Sequence, residues 1–457
     1  MNKSIVLLVD NKQRDLLGVG LIAYHLRSFG IDCHLEPLES YRGALAAYRP
    51  DMIIFNHLTA SHLVAYSKRL ADMGVLTAVL TNEGITYDRD LLRFIVGSHH
   101  SAAHVDYFLS WNGQMKAAMQ ELGINREAQI EVVGIPRFDF YCKPWSKLFE
   151  EPRPADDSTP RILFCTNFAY ADYRDVPGSG EKFFASVKDR VPAFKNYQEI
   201  IEVHYQNRKR VFAFLDEIVR SRKFRLILRP HPYETLAVYQ DWLRRLPPEQ
   251  QAKVTLDKQS DITRLILNSD LEISCETCTT AMEAWIAGKP TIELVFQRHP
   301  VFFHEEQAAQ NPLCEKPENL VGLIESELAQ PQQPRYQTGR QAHLLKWCHT
   351  ADGKAAFQTA QSLARALNRN RQPDWSKLTA EDFRRGLKLK MTQKLGVPYH
   401  YDPTMTLKAR LFPKKYALKD FSYRKSIKPG DVVAVRRLLE DNFGPPPARE
   451  LALNSPQ

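Results

Sequence analysis

The chain has 457 residues, 44% hydrophobic and 25% charged, the make-up of an ordinary soluble protein long enough for two domains and an appendage. Nothing approaches the roughly 20 consecutive apolar residues of a spanning helix. The apolar run in MNKSIVLLVDNK is too short for a signal-peptide core, so a cytoplasmic location is expected. The formal charge of +9 is concentrated in residues 371–457, which hold 18 Lys and Arg against 9 acids. Such a basic tail suits an anionic membrane surface or a solvated extension wrapped back on the first domain. Nucleic acid is not expected as a partner, because no recognised reader module accompanies the charge. The seven cysteines (Cys33, Cys142, Cys165, Cys275, Cys278, Cys314, Cys348) are odd in number and scattered, as reduced thiols rather than a disulfide framework.

Apolar runs at 4–9, 31–36, 51–55, 75–80, 107–111 and 130–133 alternate with helix-length patterns. They predict a Rossmann-like N-terminal domain over residues 1–142. Gly18-Val19-Gly20 lacks a third glycine and does not directly follow the strand, so no dinucleotide site is expected. The run at 75–80 leads into Thr81-Asn82-Glu83-Gly84, which puts Glu83 at the ligand-facing edge, with Gly84 allowing a sharp turn. A loop glutamate capping the next helix is the competing reading. Asp88-Arg89-Asp90 spells D-x-D, but two acids heading a helix are explained by its dipole. In Gly134-Ile135-Pro136-Arg137-Phe138-Asp139, Arg137 and Asp139 serve either a cleft or the turn itself. Residues 143–160, rich in proline and charge, read as a linker.

Residues 161–350 repeat the rhythm, with apolar runs at 161–165, 224–228, 254–256, 271–274 and 291–295, a long helix at 197–220, and an unplaced loop at 166–180 that contains Asp172. Ligands of parallel sheets bind beyond the carboxyl ends of the strands, and two ends here are unusually polar. Arg229-Pro230-His231-Pro232 holds a cation and an imidazole on a proline-stiffened turn. Ser274-Cys275-Glu276-Thr277-Cys278-Thr279-Thr280 opens a helix expected at 281–287, whose N–H groups suit a phosphate. Glu283 is placed to reach a ribose from that helix, and Gly288-Lys289-Pro290 stops it. Cys275 and Cys278 lack a second pair to complete a zinc site, so no metal is expected. Arg298 and His299-Pro300 also fall at the ligand edge. Helices are expected at 319–328 and 354–367, the second within a C-terminal segment 351–370. The basic extension alternates amphipathic pieces at 383–395 and 432–439 with connectors such as PKKYALKDFSYRKSIKPGD.

This order of motifs resembles the GT-B glycosyltransferases. More narrowly it is similar to bacterial surface-carbohydrate biosynthesis proteins related to the CMP-sugar-using Kdo transferases and bacterial sialyltransferases. Asn82-Glu83-Gly84, His231-Pro232 and Ser274 through Thr280 carry the resemblance, which spans about residues 75 to 295. It implies an α/β, GT-B fold: two Rossmann-like domains facing a central cleft, the N-terminal one on the acceptor side, with a basic C-terminal extension. It also implies a metal-independent transferase without cofactor, acting in capsule or lipopolysaccharide synthesis. Such an enzyme moves a sugar from a nucleotide donor, such as CMP-Kdo or a CMP-sialic-acid-like sugar, to a glycan or lipid-linked oligosaccharide.

On this resemblance Arg229, His231, Pro232, Ser274, Thr277, Thr279, Thr280 and Glu283 bind the nucleotide and its phosphate. Glu83 is the base, its pKa raised at an apolar strand end, with Gly84, Arg137, Asp172 and Arg298 in reach of the cleft. Many sialyltransferases show two acids before the glycine where this chain has Asn82 and Glu83, so Asp139 and Asp172 are candidates for a second carboxylate beside His231. A lipid-linked acceptor would give the basic tail a purpose as a peripheral contact with the inner membrane face. A CDP-glycerol or CDP-ribitol phosphotransferase, loosely matched by Ser269-Asp270 and Ser274, and a catalytically inert scaffold of the same fold stay open. A UDP-GlcNAc 2-epimerase shares the architecture, but its run of glycines and acids is not found.

Overall fold

The first sheet joins β1 (Ser4–Val9), β2 (Asp32–Pro37), β3 (Met52–Phe55), β4 (Leu76–Leu80), β5 (Tyr107–Ser110) and β6 (Ile130–Val132) in the order β2-β1-β3-β4-β5-β6. Every neighbouring pair is parallel. The second joins β7 (Arg161–Cys165), β8 (Arg225–Arg229), β9 (Val254–Leu256), β10 (Leu271–Cys275), β11 (Thr291–Leu294) and β12 (Leu313–Cys314) as β12-β11-β10-β7-β8-β9, again all parallel. Sheets covered by helices on both faces favour continuous apolar strands, and β3 (MIIF) and β4 (LTAVL) are buried at every position. Strand order reverses between β1 and β3 and between β7 and β10. Each reversal opens a crevice at the carboxyl ends of the strands.

The computed structural model describes residues 3–449 except 99–101, 125–129, 155–156, 177, 186, 332–333, 369–371, 401 and 413–425. Part of the connector PKKYALKDFSYRKSIKPGD therefore lies outside the described residues. The chain divides into unit 1 (Met1–Ile85, Ile95–Asp139, Trp347–Gln457) and unit 2 (Thr86–Phe94, Phe140–Lys346). This partition differs from a simple N-terminal and C-terminal split. Residues 86–94 join the second sheet's unit, where the Leu91 and Phe94 side chains pack on the Phe184–Ile200 cluster.

The basic extension is an integral part of unit 1. Helix Ala380–Lys394 lies on helix Tyr41–Tyr48 at glycine contacts: a Cβ on Gly43 would sit 2.8 Å from the Arg385 carbonyl oxygen, and one on Gly386 3.1 Å from Ala46 Cβ. The Arg69 guanidinium grips the buried Asp382 carboxylate beside this contact. Helix Pro429–Phe443 lies on helix Lys12–Ser28, where Gly20 leaves room for Val435 and Arg27 pairs with Glu440 at 2.5 Å. Gly18 likewise admits the Arg137 backbone, so both glycines of Gly18-Val19-Gly20 serve helix packing.

In unit 2 the helix after β10 starts at Thr279, one half-turn earlier than residue 281. The two-residue β12 and helix Pro334–Cys348 were not legible from periodicity. The 143–160 segment is not a free spacer. Trp145 and Phe149 are buried, and Phe149 meets Phe140 edge-on at 5.7 Å between ring centroids.

Candidate functional site

Register brings three strand exits of unit 2 level with one another: Ser274 of β10 pairs with Cys165 of β7, and Cys165 with Arg229 of β8. The crevice between β7 and β10 therefore opens beside the Arg229-Pro230-His231-Pro232 turn. That turn is held from beneath by Glu234, a buried carboxylate that accepts from Thr166 Oγ1 (2.7 Å), Phe168 N (3.0 Å), His231 N (3.1 Å) and the Tyr239 hydroxyl. Burial pushes its pKa up, and the donors around it pull the other way. Lys258 Nζ donates to the Glu234 carbonyl oxygen at 2.5 Å.

With its backbone fixed, His231 accepts from Tyr233 N–H at Nδ1 (3.2 Å), so its ring proton resides on Nε2. Burial, with Lys258 and Arg229 nearby, lowers its pKa to about 4, so the imidazole is neutral at pH 7 and donates from Nε2. Arg229 donates to the Asp257 carbonyl oxygen at 3.3 Å and stands 3.9 Å from the Asp257 carboxylate. Asp172 links this turn to helix Tyr197–Ser221: one oxygen takes the Arg208 guanidinium and the other accepts from Thr235 N at 2.7 Å. Pro232 is exposed on the turn's outer side.

The β10 exit is organised differently. Glu276 and Thr277 both take left-handed backbone, with φ of +56° and +43°, a conformation that strains residues carrying a Cβ. Buried contacts hold it. Glu276 accepts from Asn207 Nδ2 (2.7 Å), and burial raises its pKa to about 7. Thr277 N donates to Glu293 (2.8 Å), Thr277 Oγ1 donates to the Phe302 carbonyl oxygen (2.5 Å), and Thr277 Oγ1 accepts from His304 N (3.1 Å). Ser274 is fully buried in register with Glu293. Thr280 Oγ1 donates to Glu272 (2.8 Å), whose pKa burial raises to about 8. Glu283 is also turned inward, where it accepts from the Tyr141 hydroxyl and from Thr279 Oγ1 (3.4 Å). Its carboxylate is thus occupied within the unit, whereas the sequence reading turned it toward a ribose. Thr279 and Thr280, at the helix N-terminus, are the half-buried threonines of this turn.

Glu234, Glu272, Glu293 and Lys258 escaped the sequence reading. A usable signal existed for two of them: a glutamate inside each of the apolar strands LEISC and TIEL, where an ionised side chain requires partners. His299 repeats the His231 turn, its Nδ1 accepting from Val301 N at 3.2 Å. Arg298 pairs with Glu305 (2.9 Å) and Glu315 (3.6 Å) and covers the Phe303 ring. Asp88 accepts from Leu91 N at 2.6 Å, as a helix-heading acid does. No group of three or more His, Cys, Asp or Glu side chains among the described residues is arranged to hold a metal ion.

In unit 1, Glu83 stands at the exit of β4 with its side chain 74% exposed and accepts from Arg14 Nη1 at 3.2 Å. The surroundings are aqueous, where the sequence reading placed the carboxylate at an apolar strand end. Arg14 is held on its other edge by Asp15, at 2.7 and 3.2 Å. Gly84 is not in left-handed backbone; a Cβ there would come within 3.2 Å of the Trp111 side chain, so close packing rather than turn geometry calls for glycine. Arg137 lies 4.7 Å from the Trp111 ring centroid and donates to the Asn82 carbonyl oxygen at 3.1 Å. Asp139 is buried, and its oxygens accept from Ala355 N (3.0 Å) and Ala356 N (2.7 Å) at the start of helix Ala355–Leu367. That is a helix anchor, and it occupies both oxygens of a residue read as a second catalytic carboxylate.

No family model matches the chain, and no curated protein matches it. Solved structures do. A Listeria monocytogenes protein provisionally named UDP-N-acetylglucosamine 2-epimerase aligns with a TM-score of 0.52 at 13% identity, covering 82% of this chain and 99% of that one. The wall teichoic acid polymerase TagF soaked with CDPG aligns at 0.48 and 13% identity over 80% and 88% of the two chains. Anabaena Alr3699/HepE in complex with UDP and glucose aligns at 0.42 and 13% identity over 79% and 100%. Two parallel six-stranded sheets with the first of these likenesses are a GT-B-like α/β fold.

Proposed function

We propose that this chain is a glycosyltransferase of bacterial surface-polysaccharide biosynthesis, metal-independent and without cofactor, that takes a sugar from a CMP-linked donor. The acceptor is a glycan or lipid-linked oligosaccharide, reached at the inner face of the cytoplasmic membrane. The observation that carries the reading is the β8 exit: a neutral, half-buried His231 with its ring proton on Nε2, near Arg229 and Lys258, one strand from the sheet reversal between β7 and β10. Preorganised donors of this kind neutralise the charge that grows on a leaving phosphate. His231 stays neutral across the physiological range because its pKa is about 4. The N-terminus of helix Thr279–Ile286 adds N–H groups to the same task. Glu83 takes the acceptor hydroxyl's proton in this reading, and Arg14 orients its carboxylate. Asp172 and Arg137 act through the turns they brace. Solved structures of similar fold hold UDP or UDP-glucose, which favours a nucleotide-sugar donor for this chain too.

The test is a thermal-shift titration with CMP, CDP, UMP, UDP and GDP, since a ligand at 100 times its dissociation constant adds about 2.7 kcal/mol to stability. CMP is expected to bind best. A preference for UDP or GDP rules out the CMP donor and redirects the search to UDP- or GDP-sugars, or to epimerisation. Glu83→Gln is expected to abolish transfer while nucleotide binding persists. Transfer at the wild-type rate by that variant removes Glu83 as the base, and a protein that binds no nucleotide is a scaffold.

A further inference from the structure

Helix Ala380–Lys394 and the residue that caps it carry an unusual outer face. Its inner side, Asp382, Gly386 and Leu389, is buried on unit 1. Between 383 and 395 the exposed residues are of two kinds only. Phe383, Leu387, Met391 and Leu395, 50% to 71% exposed, recur every fourth position and form one stripe at the helical period. Lys388, Lys390 and Lys394 stand between and beside them, together with Arg384, which is paired at 2.7 Å with Glu381 one turn earlier. Helix Met405–Leu411 repeats the pattern in short form, with Leu407 and Leu411 exposed beside Arg410. Nine of the fifteen exposed large apolar side chains among the described residues lie between 383 and 438. Scattered apolar residues on a surface mean little, but a periodic stripe interleaved with cations has a specific physical match.

We propose that the Phe383–Leu395 face is a docking surface for an anionic lipid bilayer. The apolar stripe inserts at the boundary of headgroups and acyl chains, and the three lysines meet lipid phosphates. Charge complementarity selects this occupant: a protein partner covering the stripe would have to neutralise three lysines with acids of its own, and a second copy of the same face would bring like charges together. The glycine contacts at Gly43 and Gly386 hold the helix rigidly on unit 1, so the face is presented preformed. This deepens the membrane side of the function proposed above and is independent of the donor.

The experiment is co-sedimentation of the full chain with vesicles of phosphatidylglycerol and phosphatidylcholine, and with pure phosphatidylcholine vesicles. Binding is expected to the anionic vesicles and to weaken as salt rises. Lys390→Gln with Lys394→Gln should lower vesicle affinity about 30-fold, two cations at ~1 kcal/mol each. Leu387→Ser with Met391→Ser keeps the charge and should lower it about tenfold. Both pairs leave the buried side of the helix intact, which thermal unfolding checks. Equal binding to both vesicle types, or unchanged affinity in the serine pair, overturns the proposal. So does a wild-type dimer, seen by light scattering without lipid, that the serine pair converts to monomer. Nucleotide titration of the same samples reads unit 2 separately, so loss of vesicle binding with nucleotide binding intact indicts the docking face alone.

Discussion

The exits of β8 and β10 are both polar, both precede a helix or turn, and both belong to one sheet, yet they use their polar groups in opposite ways. At β8 the carboxylate of Glu234 sits underneath and takes backbone and hydroxyl donors, so neither the His231 ring nor the Arg229 guanidinium is drawn onto it. At β10 the hydroxyls and the strained turn face inward, onto Glu272, Glu283 and Glu293. Hydroxyls near a helix N-terminus are therefore no sign of a phosphate cradle by themselves. What separates a ligand edge from a structural knot is whether buried carboxylates already take the donors.

Variants break this comparison in order of size. Glu234→Ala is expected to cost ~3–5 kcal/mol of stability in urea unfolding, because four donors lose one buried acceptor together. A loss below ~1 kcal/mol would mean that water replaces the carboxylate and that the turn is not preorganised by it. His231→Ala should lower nucleotide affinity by ~10- to 100-fold, the range for a hydrogen bond to a charged group, with stability changed by less than ~0.5 kcal/mol. If unfolding shifts and affinity does not, His231 is a structural residue like Thr277.

The buried glutamates predict a pH effect with a definite sign. Glu272 holds its proton to about pH 8 in the folded chain, whereas an unfolded glutamate ionises near ~4.3. Between these values the folded state binds more protons, so this group's contribution to stability falls as pH rises, by up to ~1.4 kcal/mol per pH unit. Glu276, raised to about 7, adds to the same slope up to its own pKa. Glu272→Gln should flatten the slope between pH 5 and 8 in denaturation midpoints; an unaltered slope would show that Glu272 is ionised in the fold. Smallest is the contrast between the neighbouring threonines. Thr280→Val should cost ~1–2 kcal/mol by depriving Glu272 of a donor at 2.8 Å, and Thr279→Val less than ~0.5 kcal/mol, since its contact is long at 3.4 Å.

Two strand exits were legible in the sequence. The RPHP turn and the Asn82-Glu83-Gly84 exit stand out because prolines and glycine interrupt apolar runs at strand ends, and both lie at the edges expected of them. The roles of Thr277, Thr280, Glu283 and Asp139 were not legible, because no local pattern names their partners Glu293, Glu272, Tyr141 and Ala356, which lie 16, 8, 142 and 217 positions away. Gly84 was expected to permit a sharp turn, but what calls for glycine there is the Trp111 side chain it packs against, 27 positions away.

Apolar period and turn chemistry are local properties, and they suffice for eleven of the twelve strands, the long helix at Tyr197–Ser221 and the basic character of the tail. The exception, β12, has only two residues, too few for any period. Strand order and the level alignment of Ser274, Cys165 and Arg229 arise from pairing across more than 50 residues of sequence. The same holds for the tail: its composition announces cations, but only its seating on Gly43 and Gly386 divides helix Ala380–Lys394 into a buried side and an exposed one. Burial is a property of the packed molecule, and burial decides which carboxylates keep their protons and which cations remain outside.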